Sequence, residues 1–153
     1  MYFLTVILLL FVFPVVSLGA ELLWDHGAAD AIPLVGKWFV FWAVGVRLFI
    51  AGVRQVLAPQ FTAESIFAIK DRAALPIVRE VGFGNLAMGA LGLASLARPD
   101  WLVPAAIVGG LYYGLAGGGH VLRRARDFNS RVAMLSDLAM LAVLGVFVAS
   151  RFW

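Results

Sequence analysis

The chain has 153 residues, of which 63% are hydrophobic and 14% charged; its net charge is +3 and it has no cysteine. Soluble domains carry roughly a quarter charged residues, and a chain this short cannot hide so much apolar surface in one aqueous core, so its solvent is lipid. The composition also excludes disulfides and thiol chemistry, and two histidines argue against a dedicated metal cage.

Five apolar runs follow in order, at about 2–18, 38–57, 77–96, 101–122 and 132–150. Each has about the 20 residues that cross a hydrocarbon core of roughly 30 Å. The expected fold is all-α, a single membrane domain over residues 1–153 formed by a bundle of five transmembrane helices. Run one resembles a signal peptide in having small residues, Ser17 and Gly19, near its end. It lacks the basic start of such a peptide and is read as a retained helix.

Between runs one and two lies an acidic loop with Glu21, Asp25 and Asp30. Asp25, His26 and Asp30 are read as solvated rather than as metal ligands. Trp24, Trp38, Trp42 and Trp101 fall near the same membrane face, as an aromatic belt does. Arg54, Lys70, Arg72 and Arg79 flank the second loop, and Arg123, Arg124, Arg126 and Arg131 follow run four. Such basic loops face the cytoplasm, which puts the N-terminus inside, the C-terminus outside and the chain in the cell's inner (plasma) membrane. Because the basic residues sit at helix ends, they orient the chain and do not imply nucleic-acid binding.

The stretch 59–74 is too polar to span. Thr62 is placed to cap a short helix, with Phe61 before it and Ile66 four positions in, the spacing of a hydrophobic staple. It is read either as an amphipathic helix lying at the cytoplasmic interface or as an ordinary connecting helix packed under the bundle.

Two rows of small residues mark helix packing. Run three carries Gly82, Asn85, Gly89 and Gly92; run four carries Ala106, Gly110, Gly114 and Gly118. Rows of this kind let backbones approach closely, within one chain or between copies of it. Ionisable and polar residues inside the runs are costly in lipid and face partners or watery cavities. Arg47 and Arg54, seven residues apart, share one helix face. With Glu80, Asn85, His120 and Asp137 they form a candidate intramembrane polar cluster towards the cytoplasmic side, read either as structural ion pairs with snorkelling end residues or as a functional pocket or proton path. Glu80 lies nearly opposite the glycine row of its own helix, so it belongs to the cluster only if run three is central.

The stretch Arg79-Glu80-Val81-Gly82-Phe83-Gly84-Asn85-Leu86-Ala87-Met88-Gly89, the Gly118-Gly119-His120 end of run four and Asp137 resemble an uncharacterised family of small bacterial and archaeal membrane proteins. That family is distantly similar to DoxX-like proteins. The resemblance implies a four-helix core made of runs two to five, with run one added in front. Some DoxX-like proteins are associated with sulfur or quinone redox systems, others with assisting membrane or secretory proteins; fold alone does not transfer either role.

No nucleophile–base pair, phosphate loop or metal motif is present. The expectation is a non-enzymatic accessory or binding subunit for a membrane partner or lipid, with no catalytic residues, no cofactor and no metal. The alternatives are a small proton-coupled transporter and a quinone-binding subunit of a redox system.

Overall fold

A computed structural model describes residues 2–24, 30–122 and 128–152. All regular structure among them is helical. Helix α1 is Tyr2–Trp24, α2 is Ala31–Leu57, α3 is Pro59–Ser65, α4 is Leu75–Ala94, α5 is Pro99–Leu122 and α6 is Phe128–Ala149. A single 3-10 turn, Arg72–Ala74, precedes α4.

Four of these helices, α1, α2, α5 and α6, are long and apolar enough to cross a membrane. This differs from the count of five, and the difference lies in α4. Its 20 residues span about 30 Å at 1.5 Å per residue, but it carries Arg79, Glu80, Asn85 and seven glycines or alanines among its apolar residues.

Two helices contain wide turns. In α1 the π segment Leu8–Val12 ends with the Phe13 N–H bonded to the Leu8 carbonyl, immediately before the buried Pro14. Proline has no N–H to give and its ring crowds the carbonyl four residues back, here Leu10; the widened turn supplies the room. In α2 the segment Val40–Arg47 is also π-helical. Such segments are rare and cluster at functional sites. Within it the Ala43 carbonyl accepts a 2.5 Å hydrogen bond from the Tyr113 hydroxyl of α5. Tyr113 is 1% exposed, so Tyr113→Phe should lower unfolding stability in detergent by about 1 kcal/mol.

The core is formed by α2, α5 and α6, with Val40, Val44 and Leu48 packed on Ala106, Met140 and Leu144. Val6 and Leu10 of α1 complete it. Two antiparallel pairs frame this core. In the first, α4 lies on α2: Gly82 meets Gly52 and Gln55, Gly89 meets the Phe49 backbone, and Gly92 meets Gly45. In the second, α6 lies on α5: Gly110 faces Leu144, Gly114 faces Leu141 and Gly117 faces Leu138. Gly118 has nothing within 4 Å of where its Cβ would stand. The row read at every fourth residue therefore drifts off the contact, because 3.6 residues per turn carries the face back to Gly117.

Helix α1 is tied to α2 at the end where the two helices join. Lys37 Nζ donates to both Glu21 carboxylate oxygens at 2.7 and 2.8 Å, and Trp38 Nε1 donates to Glu21 Oε2 at 2.7 Å. Trp42 Nε1 donates to Ser17 Oγ. Of the other residues of the aromatic belt, Trp24 and Trp101 are exposed.

Helix α3 begins differently from the expected cap. Pro59 is its first residue and Ala58 its N-cap, while Thr62 is buried inside the helix. Proline at that position has no N–H to satisfy and its fixed φ suits a helix start, which displaces the threonine from the capping role. Ala68, at φ 56°, then turns the chain back. The Asp71 carboxylate accepts from the Ala73 N–H to open the 3-10 turn.

Candidate functional site

One cavity of about 370 Å³ opens at the end of the bundle covered by α3 and the turn after it. All six helices contribute to its wall. Helix α1 supplies Tyr2, α2 supplies Arg47, Arg54 and Gln55, and α3 supplies Phe61 and Thr62. Asn85 comes from α4, Tyr112, Tyr113 and His120 from α5, and Asp137 from α6. Apart from Thr5, the remainder of the wall is apolar.

Of the six residues singled out from the sequence, Arg47, Arg54, Asn85, His120 and Asp137 line this cavity. Glu80 does not: it is exposed on the outer face of α4. The physical reason is the helix period. Gly82, Asn85 and Gly89 are buried against α2, and Glu80 stands almost opposite them, so burying both faces would require a neighbour that the fold does not provide. Asp25 and His26, read as part of a solvated loop, lie outside the described residues, as do Arg123, Arg124 and Arg126. Asp30 is the N-cap residue of α2.

Among the described residues Arg47, Arg54 and Asp137 line the cavity without an ion pair between them; the pairs Lys37–Glu21 and Arg98–Asp100 both lie away from it. Asp137 is 8% exposed, and Arg47 is the opposite charge that acts on its carboxyl, yet the two make no contact within 4 Å. No direct arginine–carboxylate bridge therefore forms in the cavity among the described residues. Arg47 Nε is buried without a hydrogen-bond acceptor. Its guanidinium lies 6.0 Å from the centre of the Tyr2 ring. Arg54 instead stacks on Phe61, 3.5 Å from the ring centre, which holds its charge at the rim.

Asn85 is 1% exposed and donates from Nδ2 to Gln55 Oε1 at 2.7 Å. The Tyr112 hydroxyl lies beside the same amide, but Asn85 Oδ1 has no hydrogen-bond partner. His120 is buried at the cavity's edge, its ring stacked with Phe67 at 6.4 Å. Ser130 Oγ donates to the Ile66 carbonyl and ties the cover to α6.

Gln55, Tyr2, Tyr112 and Tyr113 were not singled out from the sequence as members of the site. Gln55 had a signal: it is an uncharged polar residue inside an apolar run, next to Arg54 and eight residues beyond Arg47. The tyrosines had none, since aromatic residues near helix ends serve as interface anchors in most membrane helices.

Chemically, the cavity offers a permanent cation, a carboxylate, an amide acceptor and aromatic walls, with no arrangement of nucleophile, base and orienting group. A cleft of this size with a few converging polar groups is what a small-molecule site looks like. No curated protein and no solved structure matches the chain. Over residues 1–151 it matches a family of unknown function, DUF6790, and it belongs to that family.

Proposed function

We propose that this chain is a non-enzymatic membrane protein that holds a small amphipathic ligand, lipid or lipid-like, in the cavity between its helices. One observation carries the reading: the half-buried Arg47 and the buried Asn85 both line the cavity, and Arg47 Nε and Asn85 Oδ1 are buried atoms without a hydrogen-bond partner. Buried polar groups in proteins are nearly always satisfied, and those left open at a cavity wall await a ligand or ordered water. Purification in mild detergent followed by mass spectrometry of extracted small molecules tests it. A compound should accompany the wild-type chain and be lost from Ala116→Phe, which puts a ring into the cavity wall. Recovery of the chain alone would count against the reading.

The same proposal includes the topology. Helix α4 is taken as the fifth span, packed on α2 through glycine, with α2, α4, α5 and α6 as a DoxX-like core and α1 in front. The basic loops then put the cavity on the cytoplasmic side, with the N-terminus inside. Reporter fusions at the two ends check this; a cytoplasmic C-terminal reporter would require the map to be redrawn.

A second reading, a proton-coupled carrier, is favoured by Asp137, a buried carboxyl that lines the cavity without an ion pair among the described residues. In liposomes, solute uptake driven by a pH gradient and abolished by Asp137→Asn would support it. No movement of protons or solute would remove it.

A further inference from the structure

The cavity asks for two opposite things of its occupant. Arg47 presents a buried, unsatisfied N–H at Nε, and arginine keeps its charge even when poorly hydrated. An oxyanion is its natural partner, and charge-assisted hydrogen bonds of that kind are the strong ones. Elsewhere on the wall, Asn85 Oδ1 and the Asp137 carboxylate are acceptors. Among the described residues Asn85 Oδ1 has no donor and Asp137 no ion pair. A purely anionic ligand would serve Arg47 and leave Asp137 repelled and Asn85 open. A neutral apolar ligand would serve none of the three.

Resting on the ligand-binding reading above, we infer that the cavity takes an amphipathic zwitterion, with an oxyanion against Arg47 and a primary ammonium against Asp137 and Asn85 Oδ1. The primary ammonium matters because it has three N–H donors, one for each open acceptor with one to spare, whereas a quaternary ammonium has none. The space agrees: about 370 Å³ falls within the roughly 300–1,000 Å³ of small-molecule pockets. Such a cavity holds a phosphoethanolamine headgroup whose chains leave through the opening, or a whole free amino acid with an apolar side chain. Both present the same pair of charges. Phe61 and Tyr2, whose ring centres are 6.1 Å apart, supply apolar contact for the rest of either molecule.

The experiment is a binding comparison on the full-length wild-type chain in detergent, read by native mass spectrometry and thermal shift. The probes are short-chain phosphatidylethanolamine, phosphatidylglycerol and phosphatidylcholine, together with free phenylalanine and leucine. Phosphatidylethanolamine or an amino acid should bind about tenfold tighter than phosphatidylglycerol or phosphatidylcholine, the order expected for one lost charge-assisted bond. Which of the two binds identifies the source as a membrane lipid or a free amino acid.

Asp137→Asn should erase the preference over phosphatidylglycerol while keeping affinity for it. Arg47→Met should weaken every oxyanion-bearing probe by a similar factor. Because Asp137 has no ion pair to lose among the described residues, its asparagine variant should keep the wild-type melting temperature, and the wild-type comparison needs no variant at all. Equal binding of phosphatidylglycerol or phosphatidylcholine by the wild-type chain overturns the zwitterion while leaving a lipid site in place. Binding of none of the five overturns both readings.

Discussion

Replacing Gly92 by alanine should cost about 2–3 kcal/mol, while the same replacement at Gly84 should be neutral or stabilising by up to about 1 kcal/mol. The two glycines share helix α4 and differ in what surrounds them. A Cβ on Gly92 would meet the backbone nitrogen of Gly45, with the Gly45 Cα at 2.7 Å. Backbone cannot rotate away as a side chain can, so α2 and α4 must separate, and overpacking of this kind is destabilising by about 1–3 kcal/mol. In lipid the loss is sharper in consequence, since helix association there rests on close packing rather than on expulsion of water. Gly84 is exposed with nothing within 4 Å, so alanine adds only its better helix propensity, worth about 1 kcal/mol. Unfolding in detergent monitored by circular dichroism gives both values. Equal melting temperatures for the two variants would mean that α2 and α4 do not meet through this face.

The second large effect is expected at the Asn85–Gln55 pair. Asn85→Leu should destabilise by about 1–2 kcal/mol, since it removes a buried interhelical hydrogen bond and leaves Gln55 Oε1 without its donor. Gln55 is 8% exposed, so water does not readily replace the lost partner. Combining Asn85→Leu with Gln55→Leu should recover part of the loss, because no orphaned polar atom then remains. A double-mutant cycle isolates the pair; strictly additive losses would show that the 2.7 Å bond contributes nothing.

Helix positions were legible where apolar runs are long, and helix faces where small residues recur. The α4 row is an example: spacing alone groups Gly82, Asn85, Gly89 and Gly92. What spacing does not carry is the identity of the opposing surface. Gly45 and Gly52 of α2 are seven residues apart and hence on one face, the complement of the α4 row, yet nothing in either row names the other. On α5 the reading slipped from Gly117 to Gly118 because two adjacent glycines satisfy nearly the same period. The π segments of α1 and α2 were invisible, since an extra residue in a turn leaves no mark in composition. Within α2 that segment ends at Arg47, so the direction in which this arginine points depends on a feature its neighbours in sequence do not announce. Glu80 and Asn85 are five residues apart on one helix, and only packing decided that one faces the cavity and the other does not.

The cavity wall draws on both extremities of the described chain: Tyr2 from the first helix, Ala133 and Asp137 from the last. Phe3 and Phe128 meet near the same end, their rings tilted by 54° with centres 5.6 Å apart. Translation delivers these helices at opposite times. A nascent chain that has inserted α2 already contains Arg47, but the Asp137 carboxyl that shares the cavity with it has not yet been made. During that interval the cation must be sheltered by lipid headgroups, water or an insertion factor, as intramembrane charges are. Completion of α6 is therefore also the moment at which the pocket first exists, and a ribosome stalled before Phe128 would leave a chain with packed helices and an unfinished, open-sided arginine.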